Sequence, residues 1–283
     1  AIIVSELEHH SNLVPWQMLC AERGAQLRIA RVDDAGRIDI DSVSFAGAKL
    51  VAIAHVSNVT GTIAPIAEVA RRAHAAGAVL VVDGAQAVSH VPVDMRALGC
   101  DFYAFSAHKL YGPTGTGVLW GRADLLAAMP PWQGGGGMVA SVDLAGARYR
   151  DPPHRFEAGT SNIAGIVGLG AAIRYLRGLD VAADEAHVHA RLVDAIRGAG
   201  ARIIGSPELA VVAFDLPGVH PHDVATIIDG EGVAVRSGHH CAEPLHRRFG
   251  LAASCRASIG CYSGDDDVDQ LARALRSVHE VFR

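Results

Sequence analysis

Short continuous apolar runs alternate along this chain with segments whose apolar residues recur every third or fourth position. AIIVSE opens as a strand, NLVPWQMLCAERGA reads as a helix, and QLRIARVD returns to strand spacing. KLVAIAHVS is apolar on both faces, as a strand buried in a parallel sheet must be. IAEVARRAHAAGA has helical spacing and stops at glycine. VLVVDGAQAV and FYAFSAH are two further buried strands. Strands alternating with helices predict a mostly parallel sheet covered by helices.

The texture changes after a loop-rich stretch from Pro130 to Asn162 that holds GGGG and DPPH. IAGIVGLGAAIRYLRGL and EAHVHARLVDAIRGAG read as consecutive helices. ARIIG, LAVVAFDLP, the helical HDVATIIDGEG, VAVRSG and CRASIGCYS follow, and DVDQLARALRSVHEVF closes the chain as an amphipathic helix. The pattern predicts a large α/β domain over residues 1–165 and a smaller α+β domain over 166–283. The opening strand has nothing before it and no initiator methionine, so a missing N-terminal segment is expected.

Composition narrows the function. The chain has 283 residues and a net charge of −5, which gives no electrostatic footprint for nucleic acid. No apolar run reaches the roughly 20 residues of a membrane span, and the opening lacks the charged start of a signal peptide. Five widely spaced cysteines without a CxxC pair argue against a disulfide framework and a structural zinc site, and fit a reducing cytoplasm.

Candidate chemistry gathers at the carboxyl ends of the expected strands, where open α/β sheets bind ligands. Asp83 and Gln86 follow one strand, Ser106, His108 and Lys109 another, Asn58 a third, and Glu8, His9 and His10 the first. A lysine beside an aspartate suits pyridoxal phosphate, with the amine bonded to the cofactor aldehyde and the carboxylate on the pyridine nitrogen. A partly buried Asp83–Lys109 salt bridge is the competing reading, and strand placement leaves both open.

The motifs HHSN, HVSNVTGT, VDGAQAV, FSAHKLYGPTG, RFEAGTSN, VRSGHHCAEP and CRAS occur in that order. Together they resemble the class V, aspartate aminotransferase-like cysteine desulfurases of the SufS type, over the whole chain. The resemblance implies the fold of the pyridoxal phosphate-dependent transferases. It implies Lys109 as the lysine bonded to the cofactor, Asp83 at the pyridine nitrogen, Gln86 at the phenolic oxygen and His9 stacked on the ring. Ser106 and His108 match phosphate ligands. Thr160 matches a threonine that reaches the phosphate of a neighbouring subunit, which implies a homodimer; its simpler reading is a helix N-cap. Asn58 and Arg256 match groups on the substrate carboxylate, and Arg236 lies near the reactive loop. Ala107 stands where relatives often have glycine or serine.

That loop nominates Cys241 as the nucleophile. Gly238 and Pro244 mark a turn, so the thiol is expected in a reachable, flexible loop, beside histidines that favour the thiolate. Cys255 lies on an apolar run and reads as packing, as do Cys20, Cys100 and Cys261. Adjacent residues rarely share one tetrahedral centre, so HHC is a poor metal site. The implied reaction takes sulfur from L-cysteine onto Cys241, leaves L-alanine, and passes the sulfur to an acceptor protein of iron–sulfur cluster assembly. His220 and His222, at the start of an expected helix, are plain helix-start residues or a contact for that acceptor. A selenocysteine lyase acting on L-selenocysteine, another class V enzyme such as an epimerase, or an inert truncated fragment stays open.

Overall fold

The computed structural model describes residues 1–282. Its first layer is a seven-stranded sheet: β1 (Ile2–Ser5), β2 (Leu27–Val32), β3 (Ile38–Asp39), β4 (Leu50–Ala54), β5 (Val79–Asp83), β6 (Phe102–Ser106) and β7 (Gly117–Gly121), in the order β3-β2-β1-β4-β5-β6-β7. The five strands from β2 to β6 are parallel, and the two edges, β3 and β7, are antiparallel. The helices α1 (Val14–Arg23), α2 (Ile66–Ala75), α3 (Met95–Leu98) and α4 (Ala123–Ala128) connect or follow these strands. Ile66, Val69, Ala70 and Ala73 make the buried stripe of α2, at the spacing that puts them on one helix face.

Val51, Ala52 and Ile53 of β4 are buried on both faces, as their unbroken apolar run requires. The large core includes Ile3, Val51, Ile53, Leu80, Val82 and Tyr103. Gly84 follows β5 against the ring of Tyr103, where a Cβ would overlap the ring atoms. Only glycine fits at that step from strand to site.

The stretch expected to be loop carries an exposed hairpin, β8 (Val139–Asp143) and β9 (Gly146–Tyr149), closed by hydrogen bonds from Ala145 and Gly146 to Asp143. Sequence spacing misses it because it has no buried face to give alternation.

A second core belongs to a four-stranded antiparallel sheet. Its order is β10 (Arg202–Ile203), β11 (Val211–Asp215), β13 (Ser254–Ser258), β12 (Arg236–Gly238). Against it lie α6 (Val181–Gly198), α7 (Pro221–Gly230) and α9 (Asp265–Val281). In chain order α5 (Ile163–Leu176) links the two layers, while α8 (Glu243–Arg248) follows the Cys241 turn. The expected division at residue 166 falls inside α5. Leu169 of that helix packs with Ala107 and Leu110 of the first layer, and the second core begins at Val188 on α6. None of the described helices is long and apolar enough to cross a membrane.

Candidate active site

Four strand ends of the first layer and one turn of the second converge. β5 ends at Asp83, whose Oδ1 accepts from the Ala85 amide at 2.9 Å. β6 ends at Ser106, and a 3-10 turn, Ala107–Leu110, carries exposed His108 and half-buried Lys109. Tyr111 ends that turn with φ 58°, a left-handed conformation costly for a non-glycine residue.

No salt bridge joins Lys109 to Asp83 among the described residues, so the ion-pair reading of these residues fails. Burial instead pushes the Lys109 ammonium down, against the pull of Asp83, and the charges of Arg256 and Arg236 push the same way as burial. A desolvated amine gives up its proton more readily and is the better nucleophile and base.

β1 leads to His9, whose Nδ1 accepts from the Ser11 amide at 3.1 Å and pairs with its hydroxyl at 2.7 Å. The remaining proton therefore sits on Nε2. Burial, and next Lys109, lower the pKa of His9, which favours a neutral ring. Behind it, Glu8 is buried and accepts from Ser5 at 2.5 Å, Asn12 at 2.6 Å and the Ala54 amide at 2.9 Å. The carboxylate thereby ties the end of β1 to the end of its parallel neighbour β4. Gln86 is half-buried one turn after Asp83.

Asn58 follows β4 and joins the layers. Its side-chain amide donates to the His240 carbonyl at 2.6 Å, and its backbone carbonyl accepts from Arg256 Nη1 at 2.9 Å. Arg256 Nε is buried without a partner. Burial, then Arg236, push this guanidinium down to about 10. A desolvated cation with a buried, unpaired N–H is a receptor for an anion.

Arg236 stands opposite Arg256 across the β12–β13 ladder. Its Nη2 lies 3.4 Å from Cys241 Sγ. The histidines beside Cys241 do not play the part expected of them: His239 is exposed, and His240 is buried with its ring on Ser254. The cation on the sulfur is the arginine. Nor is the turn loose. Cys241 is half-buried, its carbonyl accepts from the His10 amide at 2.7 Å, and His10 Nε2 accepts from the Glu243 amide at 3.1 Å. His240 and Cys241 have φ 51° and 57°. Two successive left-handed non-glycine residues cost on the order of 1–3 kcal/mol each, and persist only where surroundings enforce them.

The other cysteine by the site is a core residue. Cys255 is 1% exposed on the opposite face of β13 from Arg256, its Sγ donates to the Pro221 carbonyl at 3.1 Å, and burial pushes its thiol up to about 12. Thr160 is exposed two residues before the cap of α5. The cap is Asn162, which accepts from the Gly165 amide at 3.0 Å, so the capping reading of Thr160 fails. His220 caps α7 by accepting from the His222 amide at 3.2 Å, which leaves His222 exposed. Spacing placed His10 at a strand end but not against Glu243, which is 233 residues away, and it gave no role to Ser254 or His246.

Residues 1–271 match the family of class-V aminotransferases. Over 289 aligned residues the chain is 48% identical to cysteine desulfurases of Dickeya dadantii and Klebsiella pneumoniae strain 342, covering 99% of this chain and 70% and 71% of those proteins. Among solved structures it superposes on the cysteine desulfurase CsdA of Escherichia coli with TM-score 0.95 and 40% identity, covering 99% of this chain and 72% of that one. The cysteine desulfurase of Thermococcus onnurineus gives TM-score 0.95 at 38% identity, with the same coverage. Lys109, Asp83, His9, Arg256 and Cys241 thus converge within a fold that these enzymes share, and the chain belongs to the class-V aminotransferase family, among its cysteine desulfurases.

Proposed function

We propose that Cys241 is the thiol on which this cysteine desulfurase collects sulfur, with pyridoxal 5'-phosphate as its cofactor. The observation that carries the reading is the contact of Arg236 with Cys241, in a turn tied to the first layer at Asn58, after β4, and His10, after β1. The residues suit the cofactor. Lys109 is partly desolvated and unpaired, one oxygen of Asp83 has no hydrogen-bond partner among the described residues, and His9 presents a neutral, half-buried ring. Lys109 would bond the aldehyde, Asp83 would hold the pyridine nitrogen, Gln86 the phenolic oxygen, and Ser106 and His108 the phosphate. When bound, the ring supplies a sink for the electron pair left at the substrate α-carbon.

The chain's own groups do the rest. Arg256 Nε–H and the free donors of its fork hold the carboxylate of L-cysteine, beside Asn58. The Lys109 amine removes the α-proton. The Cys241 thiolate, held by Arg236, attacks the substrate sulfur; the new S–S bond forms as the C–S bond breaks. The carbon skeleton left behind takes up the substrate thiol's proton at Cβ, regains one at Cα from Lys109 and departs as L-alanine; His9 Nε2–H would move protons there.

Several features support an assembly. α5 exposes Ile163, Ile166, Val167 and Tyr175, and the hairpin exposes Val142 and Leu144. Such apolar surface suits a second copy, and Thr160 would then reach the partner's phosphate site. Exposed His222 would meet a sulfur acceptor of iron–sulfur cluster assembly in the cytoplasm. Brief exposure of the holoenzyme to L-cysteine, followed by mass mapping, tests the central claim: the persulfide is expected on Cys241, and a label on Cys255 overturns it.

A further inference from the structure

The turn that ends at Cys241 starts from Gly238, and the residue opposite Gly238 across the β12–β13 ladder is Ser254. Ser254 is fully buried between two histidines. Nε2 of His240 lies 3.0 Å from its hydroxyl, and Nε2 of His246 lies 2.9 Å from it.

The proton positions follow from the far end. His246 Nδ1 faces the Ala242 carbonyl at 3.1 Å. A carbonyl only accepts, so Nδ1 carries a hydrogen. Burial lowers the pKa of His246, which keeps the ring neutral and leaves Nε2 bare. That nitrogen accepts the Ser254 hydroxyl proton, and Ser254 Oγ accepts from Nε2–H of His240. His240 is neutral as well, pushed down to about 3 by burial and then by Arg256. Its Nδ1 is bare, buried and without a partner.

The chain of donors thus runs one way, from His240 to Ser254 to His246 to the Ala242 carbonyl. His240 precedes Cys241 and Ala242 follows it. The chain therefore closes a ring around the thiol-bearing residue, in addition to the Asn58 and His10 contacts. We propose that Ser254 and His246 are positioning residues that hold Cys241 in its left-handed conformation, with its sulfur against Arg236. The inference rests on Cys241 being the thiol that receives sulfur. Removing the Ser254 hydroxyl strands two buried nitrogens, frees the His240 ring to change tautomer, and releases the constraint on both flanking residues.

The test uses Ser254→Ala and Ser254→Thr holoenzymes. Iodoacetamide alkylation of Cys241 is followed by mass spectrometry across pH, together with persulfide loading from L-cysteine and thermal unfolding. Ser254→Ala is expected to lower the alkylation profile roughly tenfold and cut loading to match, because a sulfur out of reach of Arg236 is no longer held for attack. A folded Ser254→Thr enzyme, which keeps the hydroxyl, is expected to restore the profile. A purely structural role would lower the unfolding temperature and leave the profile in place, and that outcome overturns the proposal. If Ser254→Ala does not fold, His246→Gln takes its place, and a wild-type profile there overturns it equally. A wild-type enzyme that loads another cysteine sinks the Cys241 reading and this inference with it. Unchanged behaviour of Ser254→Ala in an enzyme that loads Cys241 sinks this inference alone.

Discussion

Arg236 Nη2 lies 3.4 Å from Cys241 Sγ, and no other side chain among the described residues hydrogen-bonds that sulfur. The arginine comes from β12 and the cysteine from the turn that directly follows it. The guanidinium donates to the sulfur and holds it, and Arg236 is itself exposed, so solvent weakens the contact. Arg236→Ala is expected to slow Cys241 alkylation at pH 7 by roughly fivefold, the worth of about 1 kcal/mol for one hydrogen bond. Arg236→Lys keeps the charge and should lose less. Alkylation rates mapped to Cys241 check this; an unchanged rate in the alanine variant would show that Arg236 does not act on the sulfur.

Cys241 and Cys255 should separate cleanly. Cys241→Ala is expected to bind L-cysteine, release little alanine and carry no persulfide, while selenocysteine turns over to some degree because selenium is the better leaving group. Cys255→Ala should keep most of its activity and lose on the order of 1 kcal/mol of stability, since the sulfur fills a core position. Alanine release and denaturant midpoints measure the two effects.

Lys109→Ala is expected to lose covalent attachment of the cofactor and keep its fold. A partly desolvated ammonium with no partner contributes little to stability. Borohydride treatment followed by peptide mapping should find the cofactor mass on Lys109 in the wild type and on no residue of the variant. A lysine elsewhere bearing that mass would refute the assignment.

Glu8 makes stability depend on pH. Burial raises its carboxyl from 4.5 to about 8, and the hydrogen bonds from Ser5 and Asn12 do not offset it. In the unfolded chain the group ionises near 4.5, whereas the folded chain keeps the proton to about 8. The folded state therefore binds more protons across this window, and Glu8 makes stability fall as pH rises through it. Glu8→Gln, which still accepts from Asn12 and Ala54, should flatten that slope and raise the unfolding temperature at pH 8 relative to wild type. Parallel slopes for the two proteins would show that Glu8 is ionised when folded.

His222→Ala should reduce acceptor-stimulated turnover and leave basal turnover as it was, because the side chain is exposed and caps nothing; the cap is His220. Kinetics with and without an acceptor protein decide it, and a loss of both rates would mark a structural role.

Much of this was legible in the chain itself. Apolar runs buried on both faces mark β4, and helical spacing marks α2 and α9, because one periodicity sets both the pattern and the face that is buried. Strand ends carrying Asp83, Asn58, His9 and Lys109 could be read as one site, since parallel strands present their carboxyl ends at one edge. The distinction between Cys241 and Cys255 was also legible, as turn residues against an apolar run. The partners were not. No spacing rule pairs Arg236 with Cys241 in place of its neighbouring histidines, or sets Asn58 beneath His240, 182 residues away. The hairpin escaped because neither of its strands has a buried face. Sequence determined which residues sit at strand ends and which go inside, since periodicity and hydrophobicity are local. Only the packing of one layer on the other decided which donor meets which acceptor, and so which side chains hold the sulfur in place.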